Sequence, residues 1–195
     1  NALKSKLFSH VIVSTDDVEI AKISKQYGAK IPFMRPKNLA KDTTAMVDVL
    51  IHAVRKLNSL GYYFDIFVNR DCTVPFLRNS DMASSIKLLK KNKCNAVYGV
   101  YLQHFNPYFN MVETDSNDYV KFSKKIKIKP TRRQDAPKVY QLNGLFVYDT
   151  KQFMKYKNQY PPKGMMFEIP SETGLMIDTE LEFRTAEIMI KDKLI

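Results

Sequence analysis

Residues 64–75 read FDIFVNRDCTVP. The run Phe64 to Val68 is apolar but for Asp65 and is strand-length, which predicts a fully buried strand. Polar residues come at once after it, and Pro75 breaks the next loop. Asp71 and Thr73 therefore place a carboxylate and a hydroxyl at the carboxyl end of a strand. Open α/β sheets present ligand-binding groups there. A turn closed by an Asx-type hydrogen bond would use the same residues.

Outward from this strand the chain alternates. Downstream, Met82 to Lys91 reads as a helix and NAVYGVYL (95–102) as a second buried strand. Upstream, LFSHVIVST (7–15) predicts a buried strand from about Val11 to Ser14. Asp16 then offers an N-cap, and Val18, Ile20, Ala21 and Ile23 recur at helical spacing up to Gly28. Ile31 to Met34 reads as another short strand, stopped by Pro36. The polar loop KNLAKDTT (37–44) leads into a helix from about Thr44 to Leu57. Strands alternating with helices predict an α/β, three-layer sandwich with a mostly parallel sheet. The loops after Ser14, Met34, Val68 and Leu102 are then the places for chemistry.

The pattern changes over 104–149. YVKF, KIKIK and GLFVYD are short, strand-like pieces, which predict an inserted antiparallel excursion. The last element is clearer: Thr179 and Glu182 stand three apart as a capping box, opening a helix through Ile190.

Bulk properties bound the reading. The 195 residues fit one domain, 1–195. A chain of this length buries roughly 70% of its unfolded surface and needs no staple. With 45% apolar and 26% charged residues it is too apolar for a disordered chain. Cys72 and Cys94 cannot build a four-cysteine zinc site and read as reduced thiols of a reducing compartment, which predicts a cytoplasmic protein. No run of 18 apolar residues exists to span a membrane. The net charge of +11 attracts phosphate groups of any kind, although a Lys-, Asn- and Ile-rich composition produces the same number without a partner. A nucleic-acid binder would need aromatics interleaved with its basic run. Around the lysines here there are only Tyr119 and Phe122, so no nucleic-acid partner is expected.

Four segments carry candidate chemistry. Met34-Arg35-Pro36, with Thr43 and Thr44, sets a planar donor fork at a strand end, suited to a base or phosphate; a surface Arg-Pro is the alternative. Asp71 is the second. The third is Arg132-Arg133-Gln134-Asp135 with Asn143 and Gly144, preceded by Lys121, Lys124, Lys125, Lys127 and Lys129. Alternation of Lys125, Lys127 and Lys129 with Ile126 and Ile128 would put those charges on one face of a strand, solvated or functional. The fourth is Asp178, just before the capping Thr179. It either favours the helix dipole or supplies a hard oxygen ligand for Mg²⁺ carried by a nucleotide.

Taken in order, STDD (14–17), RP-x-x-L-x-x-D (35–42), NPYFNMVE (106–113), RRQDAPKVYQLNG (132–144) and IDTELEFRTAE (177–187) resemble the acylneuraminate cytidylyltransferases. These are the CMP-sialic acid synthetases, with relatives that activate legionaminic or pseudaminic acid. The likeness covers nearly the whole chain. It implies a nucleotide-diphosphosugar-transferase-like fold. It also implies transfer of CMP from CTP to the anomeric hydroxyl of a nonulosonic sugar acid, with release of pyrophosphate and Mg²⁺ as cofactor. On that resemblance Arg35, Thr43 and Thr44 bind the nucleotide. Arg132, Arg133 and Gln134 are catalytic, near the sugar acid and phosphates. Asp71, Asn143 and Gly144 lie on the substrate side, and Asp178 binds metal. The stretch 104–144 becomes a dimerisation subdomain reaching a neighbour's active site, so a homodimer is implied.

Three departures qualify the likeness. The late family motif Asp-Ile-Asp reads Met176-Ile177-Asp178 here, and a thioether is a poor partner for Mg²⁺; Glu172 or Glu180 would have to substitute. The family's usual Gln stands as Asp71, which would repel a sugar acid unless it binds metal or an amine. A glycine-rich phosphate loop within a first βα unit, roughly 30–40 residues, is expected ahead of the first residue. Rival readings are a cytidylyltransferase for another sugar acid and a basic binding protein that keeps the fold without catalysis.

Overall fold

The computed structural model describes residues 2–128 and 130–195. The elements in chain order are α1 (Val18–Gln26), α2 (Met46–Ser59), β1 (Ile66–Arg70), α3 (Asn79–Asn92), β2 (Ala96–Leu102), β3 (Val112–Thr114), β4 (Val120–Phe122), β5 (Tyr140–Asp149), α4 (Thr150–Tyr156), β6 (Gly164–Glu168) and α5 (Glu180–Lys191). Single 3-10 turns lie at 37–39, 133–135 and 171–174.

The main sheet has the order β1-β5-β2-β6. β5 is antiparallel to both β1 and β2, and β6 is parallel to β2. Three strands thus share a direction and β5 alone runs against them, so the sheet is mixed. The reversal comes from the connection. The chain leaves the carboxyl end of β2, makes the excursion, and re-enters at that same end, where only an antiparallel strand fits. β1 is half-buried along its length rather than fully buried, because it is an edge strand.

Alternation along the strands supplies both faces. Leu145 and Val147 of β5 and Val97 of β2 pack with Val74, Leu77, Met82 and Leu89 under α3. Phe146 and Tyr148 of β5 and Ala96 of β2 face the other way, against Leu50 of α2 and Phe153 of α4. These are the three layers expected from the sequence. Phe153 is fully buried, edge-on to Phe67 at 5.1 Å and tilted against Tyr148 at 4.9 Å between ring centroids. Phe153→Ala is expected to cost about 3–5 kcal/mol and to lower the melting temperature by about 10 °C. Thermal melts monitored by circular dichroism check this; a shift below about 2 °C would show that the aromatic cluster does not hold α4.

Several local expectations need correction. The N-cap of α1 is Asp17, whose Oδ1 accepts from the Ile20 amide at 2.8 Å; Asp16 lies one residue too early. Residues 11–15 and 30–35 form no ladder but a single parallel bridge, Ile12 to Lys30, and 32–33 bend away. No other described strand runs beside them to extend it. KIKIK forms no strand among the described residues, and Lys129 lies outside them, so Lys125 and Lys127 do not share a strand face. The antiparallel hairpin of the excursion is β3–β4. Residues 140–144, read from the sequence as its end, are the first half of β5. Among the described residues no helix is long and apolar enough to cross a membrane.

Candidate active site

The carboxyl end of β1 continues into the loop 71–75, which is fastened at three points. The Asp71 amide donates to the Gly144 carbonyl at 2.9 Å. The Arg70 Nη2 donates to the carbonyls of Val74 at 3.1 Å and Pro75 at 2.8 Å. The Thr73 carbonyl accepts from the Ile177 amide at 2.8 Å. This last bond draws the segment before α5 across the sheet end and sets Asp178 close to Asp71.

The Asp71 carboxyl feels its surroundings, Asp178 among them. Burial pushes the Asp71 carboxyl above its ordinary value. The Asn69 amide, donating to its Oδ1 at 3.3 Å, pulls it down in part, and the charge of Asp178 adds to the rise. Burial lowers the Arg70 guanidinium from its own high value, where it still stays protonated. The Asp178 backbone is held independently: the Glu182 Oε2 accepts from the amides of Asp178 and Thr179, both at 2.8 Å, completing the expected capping box. Those backbone bonds, together with the Thr179 hydroxyl, depress the Glu182 carboxyl.

β5 brings Asn143 and Gly144, expected on the substrate side, to the same end through an irregularity. Tyr98 pairs with Phe146 but Val100 with Leu142, so Asn143, Gly144 and Leu145 together oppose Gly99. Gly144 takes φ +76° in that bulge, and its carbonyl meets the Asp71 amide. The Asn143 side chain is fully buried over Gly99, where a Cβ would stand 2.4 Å from its Oδ1. Neither of its amide atoms has a partner among the described residues.

Met176 packs at the edge of the α3-side core, and its sulfur accepts from the Gln141 Nε2 at 3.8 Å. Gln141 in turn accepts from Gln103, whose own Oε1 receives the amides of His104 and Phe105 at the start of the excursion. The carboxylates named as substitutes for a ligand at 176 make exposed contacts of their own. Glu180 pairs with Arg184 at 2.8 Å, and Glu172 accepts from Ser171 and faces Arg78.

The remaining candidates form two further groups. Arg35 is aligned by Ser14, donating its Nε to the Ser14 hydroxyl at 3.3 Å and its Nη2 to the Ser14 carbonyl. The Thr44 hydroxyl donates to the Asn38 carbonyl at 3.3 Å, and Thr43 is exposed. On the excursion, Arg132 makes a two-pronged pair with Asp135, both contacts at 3.1 Å. Arg133 and Gln134 are exposed, and the Arg133 side chain has no hydrogen-bond or ion-pair partner among the described residues. Among the described residues no hydrogen bond or ion pair links these two groups to Asp71 or Asp178. An open concavity of about 520 Å³ lies on the excursion, lined by Phe109, Phe122, Pro130 and Thr131. Another, of about 650 Å³, lies along α5 beside Ile188 and Ile190. Neither includes the acidic pair.

Among the described residues no three His, Cys, Asp or Glu side chains cluster as a ready metal cage. Two hard carboxylates at one strand end are nevertheless the donor set that suits Mg²⁺, which takes one or two carboxylates and fills its other positions with water and substrate phosphates.

Comparison with known proteins places this architecture. The family described as cytidylyltransferase matches residues 1–190. The chain belongs to the cytidylyltransferase family. It is 31% identical to the post-translational flagellin modification protein B of Campylobacter coli, over 98% of this chain and 81% of that protein. It is likewise 31% identical to the CMP-N,N'-diacetyllegionaminic acid synthase of Campylobacter jejuni, with the same coverage. Among solved structures it resembles a CMP:2-keto-3-deoxy-manno-octonic acid synthetase complexed with CTP. The TM-score is 0.65 at 15% identity, covering 98% of this chain and 86% of that one, which supports the fold. As a cytidylyltransferase the chain is a CTP-dependent nucleotidyltransferase.

Reading the sequence missed Arg70, Asn69, Gly99 and Gln141. Two of them left a signal. A lone glycine inside NAVYGVYL marks a bulge or close approach, and Arg70 stands among polar residues just beyond FDIFV, where a long cation can fold back on the loop that follows.

Proposed function

We propose that the chain transfers CMP from CTP to the anomeric hydroxyl of a nonulosonic acid. The hydroxyl oxygen forms a bond to the α-phosphorus and gives up its proton to solvent, the bond from that phosphorus to the bridging oxygen breaks, and pyrophosphate leaves. The observation that carries the reading is the acidic pair Asp71–Asp178 at the carboxyl end of β1, in a chain of this family.

In this reading Asp71 and Asp178 hold Mg²⁺, which when bound neutralises the triphosphate and eases departure of pyrophosphate. The chain's own side chains do the positioning. Arg35, its guanidinium aligned by Ser14, and the Thr43–Thr44 loop take the nucleotide. Arg133, paired with no carboxylate among the described residues, takes the carboxylate of the sugar acid or a phosphate oxygen. Arg132 and Gln134 flank it, and Asp135 holds the Arg132 guanidinium. Asn143 and Gly144 shape the substrate side from the bulge. Asp71, standing where the resemblance expects a glutamine, serves the metal rather than the acid. The legionaminic acid synthase among the relatives favours an acid of that class. The excursion makes a homodimer, and the enzyme works in the cytoplasm.

The deciding experiment measures pyrophosphate release from CTP by the full-length protein with N-acetylneuraminic, legionaminic, pseudaminic and 2-keto-3-deoxy-octonic acids. Release with a nine-carbon acid is expected. No release with any of them from a folded protein would overturn the proposal, and release with the eight-carbon acid alone would reassign the substrate. Arg133→Ala is expected to lower kcat/KM for the acid by about 10- to 100-fold, the loss of one charge-assisted hydrogen bond, with an unchanged melting temperature.

A further inference from the structure

We propose that Arg70 is a positioning residue that holds Asp71 and Asp178 at one cation site. The inference rests on the metal-binding role of those two acids in the proposed function. Thr73 carries the hydrogen bond between the loop after β1 and the segment bearing Asp178. It sits between Asp71, fixed by the Gly144 carbonyl, and Val74, fixed by Arg70. Both fixings are therefore needed to define where the Thr73 carbonyl points. A single terminal nitrogen of Arg70 closes the far side, with one hydrogen for Val74 and one for Pro75. Val74 is fully buried, so without Arg70 its carbonyl would be left unsatisfied in the core. The loop would shift to find another donor and take the Thr73 carbonyl with it. Asp178 would then move relative to Asp71, although neither acid had been touched.

The test uses Arg70→Gln and Arg70→Lys in the full-length protein. Three quantities are read: Mn²⁺ binding by electron paramagnetic resonance without substrates, the Mg²⁺ concentration for half-maximal turnover, and the thermal melt. Arg70→Gln is expected to weaken Mn²⁺ binding and raise the half-activating Mg²⁺ concentration at least tenfold, with KM for CTP at saturating metal within twofold of wild type. Arg70→Lys, which reaches further than glutamine and keeps a charged donor for both carbonyls, is expected to recover most of the loss. If Arg70→Gln does not fold, Arg70→Lys carries the test and must still shift metal affinity by about threefold. A lowered melt with wild-type metal dependence would make Arg70 merely structural and overturn the proposal. A wild-type protein that binds no Mn²⁺ and needs no Mg²⁺ would instead overturn the metal site itself, and the positioning role with it.

Discussion

Asp71→Asn is expected to lower turnover by about 100- to 1000-fold while raising the melting temperature at neutral pH. On the proposed metal-binding role, the loss comes from removing one of two hard ligands, because charge stabilisation at the transferring phosphate is the main work of such a site. The gain has a separate cause. Burial and the nearby Asp178 raise the Asp71 carboxyl in the folded state, so the folded protein holds that proton more tightly than the unfolded chain does. Stability contributed by the protonated form is complete below the ordinary carboxylate value of about 4. It falls as pH rises through the raised folded value, and above it the ionised Asp71 is a standing cost. Asparagine removes the ionisation and keeps an oxygen for the Asn69 amide. Melts from pH 3 to pH 8 should therefore converge at the acid end and separate towards neutrality, the variant being higher. A variant that is less stable at pH 7 would mean that Asp71 is held by an attraction rather than tolerated for function. Full turnover at low Mg²⁺ would remove it from the metal site.

The sequence exposes the features that depend on local chemistry. The capping box at Thr179 and Glu182, the helical spacing in 18–26 and the apolar run of β2 all act within a few residues, and the structure keeps them. Asp71 reaches a strand end because the apolar run before it must be a strand and Pro75 breaks the loop beyond it. The features that stayed hidden depend on pairings between distant segments. β5 runs against its neighbours because of where the excursion returns, and no spacing within GLFVYD encodes that. KIKIK alternates as a strand should, but alternation without a partner ladder does not make one. The approach of Asp178 to Asp71 hangs on one backbone bond from residue 177 to residue 73, invisible to any pattern of side chains. Arg133 and Asp178 read as two parts of one site through the family resemblance. In the chain alone they sit in groups that no hydrogen bond or ion pair among the described residues joins.

Gly144→Ala is expected to be strongly damaging, since it strains the backbone and at the same time crowds Asp71. At φ +76° an alanine costs about 1–2 kcal/mol by itself. Its Cβ would also stand 2.8 Å from the Asp71 Cβ, 2.9 Å from its Oδ2 and 3.0 Å from the Val74 Cγ2. Val74 is fully buried and has nowhere to go. Asp71 is tied through its own amide to the Gly144 carbonyl, so it cannot move aside while that bond survives. The overlap adds about 1–3 kcal/mol, enough to lower the melting temperature by about 5–15 °C and to displace the carboxylate. Gly61→Ala separates the two contributions. Gly61 has φ +83° with nothing within 4 Å of the added carbon, so it bears the backbone cost alone. The excess destabilisation at Gly144 measures the crowding, and that excess should be accompanied by weaker Mg²⁺ activation, which Gly61→Ala leaves untouched. Equal effects at the two glycines would mean that the bulge yields freely, and that the bond between Asp71 and Gly144 does not fix the acid in place.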